Sequence, residues 1–296
     1  MFEDKIVMIT GGTGSVGTAL VERLLKENPK KIRIVTNDEN SIWESQQKFG
    51  EQTADSKLRW ALGDVRDREK MKTLISESDM IFHCAAIKHV PIAEYSPLEA
   101  IDVNLNGLIN LVQLALETPR ITHFCNISTD KVVNAVGVMG RTKALTEDII
   151  HWANFFKSER DRECKFFNVR FCNVWKTRGS VLETWEKQAE ELGHIEVTDV
   201  KMDRYFMRIE DAVDLILEAT EATKGGETFI LKDYEKRYVL DMASDFCKEY
   251  LKENHIELKI KVTGIRKGER LFEELMTEEE KKNAVDVGDM WVLKHD

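Results

Sequence analysis

Ile6-Val7-Met8-Ile9-Thr10-Gly11-Gly12-Thr13-Gly14-Ser15-Val16-Gly17 is the stretch on which the fold turns. The first five residues read as a buried strand, and the residues after Gly17 read as an amphipathic helix from Thr18 to about Asn28, with Leu20, Leu24 and Leu25 inward. Glycines at 11, 14 and 17 suit a tight turn, a close approach of backbone to a pyrophosphate, and close packing of helix on strand. The helix N-terminus would then offer its N–H groups to the phosphates. A Gly-rich turn alone says little, but strand, turn and helix in this order mark a dinucleotide-binding unit. Gly11, Thr13, Gly14, Ser15, Val16 and Gly17 are its candidate cofactor contacts.

Downstream, Ile32-Arg33-Ile34-Val35-Thr36 reads as a second strand and leads into Asn37-Asp38. Asp38 lies about 20 residues past Gly17, where an acidic side chain can accept from the adenosine ribose hydroxyls. Asn37 carries no charge to neutralise a 2′-phosphate, which favours NAD; Arg33 and Arg66 keep NADP open. Leu58–Leu62 is a third strand, and Gly63-Asp64-Val65 after it sets Asp64 as an acceptor for an adenine amino group, with Val65 beside it. Asp79–Cys84 is a fourth, followed by Ala85-Ala86, small enough to let a cofactor ribose approach. Residues 98–116 form a helical pattern that contains Asn104, a further cofactor-side candidate. Strands follow at 121–127 and Lys165–Arg170, so the alternation predicts an α/β doubly wound parallel sheet of the Rossmann kind. Beyond Arg170 come a helix over Phe206–Ala222, a strand over 227–231, a helix near 239–253 and a strand near 258–262. Residues 1–172 plus about 205–233 are therefore expected to form the NAD(P)-binding domain, and 173–204 plus about 234–296 a smaller C-terminal lobe for substrate.

Ser128-Thr129-Asp130-Lys131 follows the strand that ends near Ile127, and Met139-Gly140-Arg141-Thr142-Lys143 opens the next helix. Polar residues at the carboxyl end of a parallel strand lie where open α/β sheets bind ligands. A hydroxyl, a carboxylate and an ammonium in sequence can serve as hydrogen-bond donor, acid and base once their pKa values move towards neutrality. The plainer alternative is a solvated polar loop. The helix after Lys143 carries Leu145, Ile149, Ile150 and Trp152; core packing or a face for homo-oligomerisation, as a dimer or higher, would explain them.

The chain has 296 residues, 42% hydrophobic and 32% charged, and a net charge of −10. Without a dense Lys/Arg cluster, that charge argues against a nucleic-acid or anionic-membrane surface. Cys84, Cys125, Cys164, Cys172 and Cys247 show no metal spacing and read as reduced core thiols. The seven histidines have no ligand spacing either, so no metal is expected. With no signal-peptide pattern and no long uncharged apolar run, the expectation is a cytoplasmic protein without a membrane segment.

Taken in order, Thr10–Gly17, Gly63-Asp-Val-Arg-Asp67, Ala85-Ala-Ile-Lys-His-Val-Pro91, Ser128–Lys131, Met139–Lys143, Asn173 with Arg178-Gly-Ser180, Met202-Asp-Arg204 and Ile265-Arg-Lys-Gly-Glu269 resemble the UDP-N-acetylglucosamine 4,6-dehydratases of the extended short-chain dehydrogenase/reductase superfamily. The resemblance implies that bound NAD(P) takes hydride from C4 of a UDP-sugar, that water leaves across C5–C6, and that the hydride returns to C6. It further implies Lys131 as base at C5, Asp130 as acid at the departing hydroxyl, Thr129 as donor to the C4 oxygen, and Lys143 at the nicotinamide ribose. Lys131 must be neutral for that part, through desolvation or through Lys143 nearby. Asn173 and Lys88 would touch the substrate, Arg178 and Arg204 would neutralise phosphate, and Arg266 with Glu269 would clasp the uridine ribose and diphosphate. Met139 stands where the superfamily usually has a tyrosine base, as in the C5-retaining branch of these dehydratases, and Cys172, Trp175 and Lys176 replace smaller residues near the sugar. A UDP-sugar 4-epimerase and a catalytically silent NAD(P)-binding interaction protein are the alternatives.

Overall fold

All five residues of Ile6–Thr10 are buried, so this strand, β1, has no solvent face and sits inside a sheet covered on both sides. The computed structural model describes residues 1–54, 57–158 and 163–294. The strands that follow are β2 (Lys31–Thr36), β3 (Leu58–Leu62), β4 (Met80–His83), β5 (His123–Thr129), β6 (Lys165–Phe171), β7 (Asn173–Val174), β8 (His194–Val197), β9 (Asp203–Met207), β10 (Thr228–Leu231), β11 (Glu235–Tyr238), β12 (Lys259–Val262), β13 (Val285–Val287) and β14 (Met290–Leu293). Among the described residues nine of them form one sheet in the order β13-β14-β10-β6-β5-β4-β1-β2-β3. From β10 to β3 every pairing is parallel, which confirms the doubly wound α/β fold. The order reverses between β1 and β4, the crevice where such sheets bind ligands.

Alternate residues of each strand feed two cores. Val7 and Ile9 pack with Leu20, Leu24 and Ile216 on one face, and Met8 packs with Ile81, Leu111 and Phe124 on the other. A third core, around Trp185, Ile195, Val197, Phe206 and Met242, belongs to the lobe. The lobe carries two small sheets of its own, β11-β9-β7 and β12-β8.

Three expectations are corrected. The helix expected from Phe206 begins at Ile209, because Phe206 lies in β9 and stacks on Trp175 at 4.1 Å in the lobe. The stretch assigned wholly to the lobe, 234–296, returns to the main sheet: β14 pairs antiparallel with β10 and buries Met290, Val292 and Leu293, an apolar run that needs a covered edge. Residues 295 and 296 lie outside the described residues. The helix over 98–116 is broken into Pro97–Ile101, a wider π turn at Asp102–Asn106 and Gly107–Glu117. All five cysteines are unpaired thiols, and no helix among the described residues is long and apolar enough to cross a membrane.

Arg170 at the end of β6 ties these parts together. It is 2% exposed, pairs with Glu147 at 2.7 Å on the helix Val138–Ser158 and with Glu280 at 2.8 Å near the C-terminus, and donates to the Leu275 carbonyl at 2.8 Å. Replacing Arg170 by Met leaves Glu147 buried without its cation, a loss of about 3–5 kcal/mol. Urea unfolding of R170M checks it, and a loss under about 1 kcal/mol would contradict the buried pair.

Candidate active site

The switch point is built from closely approaching backbone. Gly11 has φ of 65°, and a Cβ there would lie 2.7 Å from the Ala85 nitrogen; a Cβ on Gly17 would lie 2.5 Å from the Gly11 carbonyl oxygen. The helix that starts at Ser15 has no side-chain cap at Gly14 and no acidic residue in its first turn, so its N-terminus is suited to an anion. These features fit the pyrophosphate of a dinucleotide. The Thr13 hydroxyl is 3.0 Å from that of Ser41, and the Ser15 hydroxyl accepts from the Arg178 N–H at 2.9 Å. Asp38 is exposed beyond β2, one carboxylate oxygen accepting from the Asn40 N–H at 3.0 Å. Asp64 accepts from Arg66 at 2.7 and 2.9 Å and from Asn37 at 3.2 Å; the Arg66 bonds hold its carboxyl down to about 2. Val65 is buried against Gly107, with its side chain in the core. Asn104 is 1% exposed and brackets the 85–89 loop from behind, accepting from the Ile87 N–H at 2.7 Å and donating to the Ile87 carbonyl at 3.2 Å and to Thr142 at 3.1 Å. It acts on the loop's position.

β5 runs through Ser128 and Thr129, two residues further than the apolar pattern suggests, and delivers Asp130 and Lys131 in a turn at the sheet's carboxyl edge. Gly140 lets the next helix begin against that turn, since a Cβ there would collide with the Lys131 carbonyl oxygen. Asp130 is 1% exposed: Oδ1 accepts from the Thr129 hydroxyl at 2.9 Å and from Lys131 Nζ at 3.0 Å, whereas Oδ2 accepts from no donor among the described residues. Burial, reinforced by the nearby Glu273 carboxylate, pushes the Asp130 carboxyl well above the usual range. Lys131 does not meet the expectation of a neutral amine. Burial works against its charge, but Asp130 and Glu273 outweigh that and hold the ammonium above its ordinary range. Lys143 is depressed instead: it is 5% exposed and pushed down to about 8 by burial, with Nζ 3.4 Å from Asn126 Oδ1, and burial lowers Lys88 on the same cavity as well. Met139 is 4% exposed and packs with Ala93 and Ala100, an apolar wall with no exchangeable proton.

A cavity of about 460 Å³ runs from Val16 past Ala86, Thr129, Lys131, Met139 and Lys143 to Trp175 and Phe206 of the lobe. A smaller one of about 180 Å³ touches Asp130, Lys131, Met139, Glu269 and Glu273. Lys88 lines the large cavity and donates to the Arg178 carbonyl at 2.6 Å. Arg178 is exposed, 3.2 Å from Glu44, and Arg266 is exposed, 3.9 Å from Glu269. Arg204 differs from what a phosphate ligand needs. It donates to the carbonyls of Asp203 (2.6 Å), Leu271 (3.1 Å) and Arg270 (2.9 Å) and pairs with Glu273 at 3.2 Å, so its fork faces protein. Asn173 accepts from Lys131 at 3.2 Å and donates to Glu273 at 3.1 Å. Sequence reasoning missed Glu273, which looks like half of an acidic surface pair with Glu274; the signal was its place between Leu271 and Leu275-Met276, both apolar.

The family described as "Polysaccharide biosynthesis protein" matches residues 7–295. An uncharacterized membrane protein of Methanocaldococcus jannaschii is 40% identical over 295 residues, 99% of this chain and 86% of that one. An inverting UDP-N-acetylglucosamine 4,6-dehydratase of Campylobacter jejuni is 33% identical over 95% of this chain and 80% of its own, and a UDP-glucose 4-epimerase of Rickettsia prowazekii 33% over 100% and 84%. The chain spans about half the length, 46%, of two further relatives. The X-ray structure of Pen from Bacillus thuringiensis, 33% identical, superposes with a TM-score of 0.94 over 99% of this chain and 89% of that one. This chain belongs to the polysaccharide biosynthesis protein family, with nucleotide-sugar dehydratases and epimerases among its relatives.

Proposed function

We propose that the protein is an NAD-dependent nucleotide-sugar 4,6-dehydratase that converts UDP-N-acetylglucosamine to its 4-keto-6-deoxy product with the C5 configuration kept. The observation that carries this reading is the buried Asp130 carboxyl, raised in pKa and with one oxygen that accepts from no donor among the described residues, on a small cavity that shares Lys131 and Met139 with the larger one reaching Val16. Such a group is a general acid for a departing hydroxyl, which is what dehydration needs at C6 and epimerisation does not. NAD, when bound, supplies the hydride acceptor at C4 and the donor at C6. The Thr129 hydroxyl, turning from Asp130 Oδ1, donates to the C4 oxygen, and Asp130 protonates O6 as the C6–O bond breaks. Lys131 takes the C5 proton after its ammonium has given one proton to the Glu273 carboxylate 3.1 Å away. Lys143, which would stand beside the nicotinamide ribose, has a neutral fraction near pH 8, which supports giving it the O4 proton that the Met139 thioether cannot take. Retention at C5 is carried over from the Met139 branch, whereas the Campylobacter relative is named as inverting. Exposure of Leu145 (49%), Trp152 (49%) and Phe155 (71%) on one helix supports self-association.

The side chains on and around β2 support NAD over NADP. Arg33 is held by Glu77 at 2.6 Å and by the Leu74 carbonyl, and Arg66 by Asp64 and Glu99, so both cations that could meet a 2′-phosphate are engaged.

Incubation with UDP-N-acetylglucosamine is expected to yield a product lighter by one water, and NMR at C5 in deuterated solvent reads the stereochemistry. Unchanged substrate with cofactor bound would refute the reading, and conversion without a mass change would make the protein a 4-epimerase, as the Rickettsia relative's name allows. Turnover should be bell-shaped in pH with its maximum between about 7 and about 8, because the acid, Asp130, pushed up to about 7, titrates below the base, Lys143, pushed down to about 8, so only a fraction of the protein holds both in the working state. Asp130→Asn should remove the alkaline limb and lower kcat about 10²–10⁴-fold. Calorimetric titration should show NAD bound at least about tenfold more tightly than NADP, with Asn37→Arg narrowing the gap; equal affinities in the unaltered chain would contradict it.

A further inference from the structure

Glu273 lies after the loop that bears Glu269 and Arg270 and is 6% exposed, although its neighbour Phe272 is 50% exposed. A carboxylate buried to this degree needs charged or N–H partners, and three are present. Lys131 Nζ is 3.1 Å away, Arg204 Nε 3.2 Å, and Asn173 Nδ2 donates at 3.1 Å. Arg204 is fixed in turn by its three carbonyls, and Asn173 by donating to the Tyr205 carbonyl at 3.0 Å. Glu273 is therefore held from several sides.

On the other side of the same ammonium lies Asp130. Lys131 has three N–H donors, and all three have acceptors: Asp130 Oδ1 at 3.0 Å, Asn173 Oδ1 at 3.2 Å and Glu273 Oε1 at 3.1 Å. Two carboxylates thus share one cation, but they are unequally provided. Glu273 has a second cation in Arg204 and an amide donor. Asp130 has the Thr129 hydroxyl besides Lys131 and lies within hydrogen-bonding reach of the Glu273 carboxyl itself, so that one proton can be shared between the two, and its Oδ2 accepts from no donor among the described residues. The other ionisable groups nearby do not redress this. Cys172 is a buried thiol held neutral by burial, Arg270 donates to the Val133 carbonyl at 2.6 Å, and Glu269 faces Arg266 at 3.9 Å. A shared proton goes to the carboxylate with the weaker set of partners.

We propose that Glu273 is a positioning residue: it anchors the Lys131 ammonium from the lobe side and, as the better-paired carboxylate, leaves the proton on Asp130, so the acid is loaded before substrate arrives. What that acid then does rests on the dehydratase reading; where the proton sits rests on the cluster's geometry. Against the cost of burial, Lys131 and Arg204 hold Glu273 well below the usual carboxylate range, in line with this division.

The test is carboxyl ¹³C NMR on the full chain with labelled Asp and Glu, Asp130 being assigned by its loss in D130N. In the unaltered protein Asp130 should titrate above about 6 and Glu273 below about 4, against about 4 for either in water. Glu273→Gln should lower the Asp130 midpoint by about one unit or more, and Glu273→Asp should restore part of it. In kinetics the alkaline limb of kcat should move to lower pH with KM for the UDP-sugar little changed, which a purely structural loss would not produce. An Asp130 midpoint below about 5 in the unaltered chain, or one unmoved in a folded E273Q, would overturn the proposal. Should E273Q fail to fold, the midpoints of the unaltered chain decide alone. Absence of turnover with the midpoints as expected would sink the dehydratase reading and leave the role of Glu273 standing.

Discussion

The structure depends on one ammonium shared between two buried carboxylates. Lys131 and Asp130 come from the end of β5, whereas Glu273, Arg204 and Asn173 come from the segments that build the lobe. Charges buried this deeply are tolerable only with close partners of opposite sign, and here each half supplies what the other lacks. The cluster joins the lobe to the sheet at the position where chemistry would occur, so the acid and its orientation exist only when both halves are in place.

Backbone contact does a related job on the cofactor side. Gly11 against Ala85, Gly17 against Gly11 and Gly140 against Lys131 are positions where a single Cβ would push two segments apart. They bring the dinucleotide turn, the loop after β4 and the start of the helix bearing Met139 and Lys143 around one cavity. Met139 fits this arrangement as a wall. Around that wall the site moves the pKa values of Asp130 and Lys131 upward and that of Lys143 downward.

Much of this was legible beforehand. A five-residue apolar strand running into three spaced glycines and a helix can fold in few ways, and the repeat of strand and helix through Arg170 sets the parallel sheet. Asp130 and Lys131 were legible as a pair because they follow a buried strand. Less visible were the elements whose faces are completed by distant chain: β9, which reads as the start of a helix until Trp175 stacks on Phe206, and β14, which reads as part of the lobe until β10 offers it an edge.

Sequence alone determined the fold class, the Gly-rich turn after β1 and the polar residues at the carboxyl edge of β5, because periodicity and glycine spacing are local and physical constraints act on them directly. Only the tertiary structure decided what those residues are electrostatically. Lys131 is a cation at rest, Lys143 a depressed amine and Arg204 an internal tie, and Glu273, about 140 residues from Lys131, lies 3.1 Å from its ammonium. A pKa depends on burial and on charges a few ångströms away, and neither is written in the neighbouring letters of the chain.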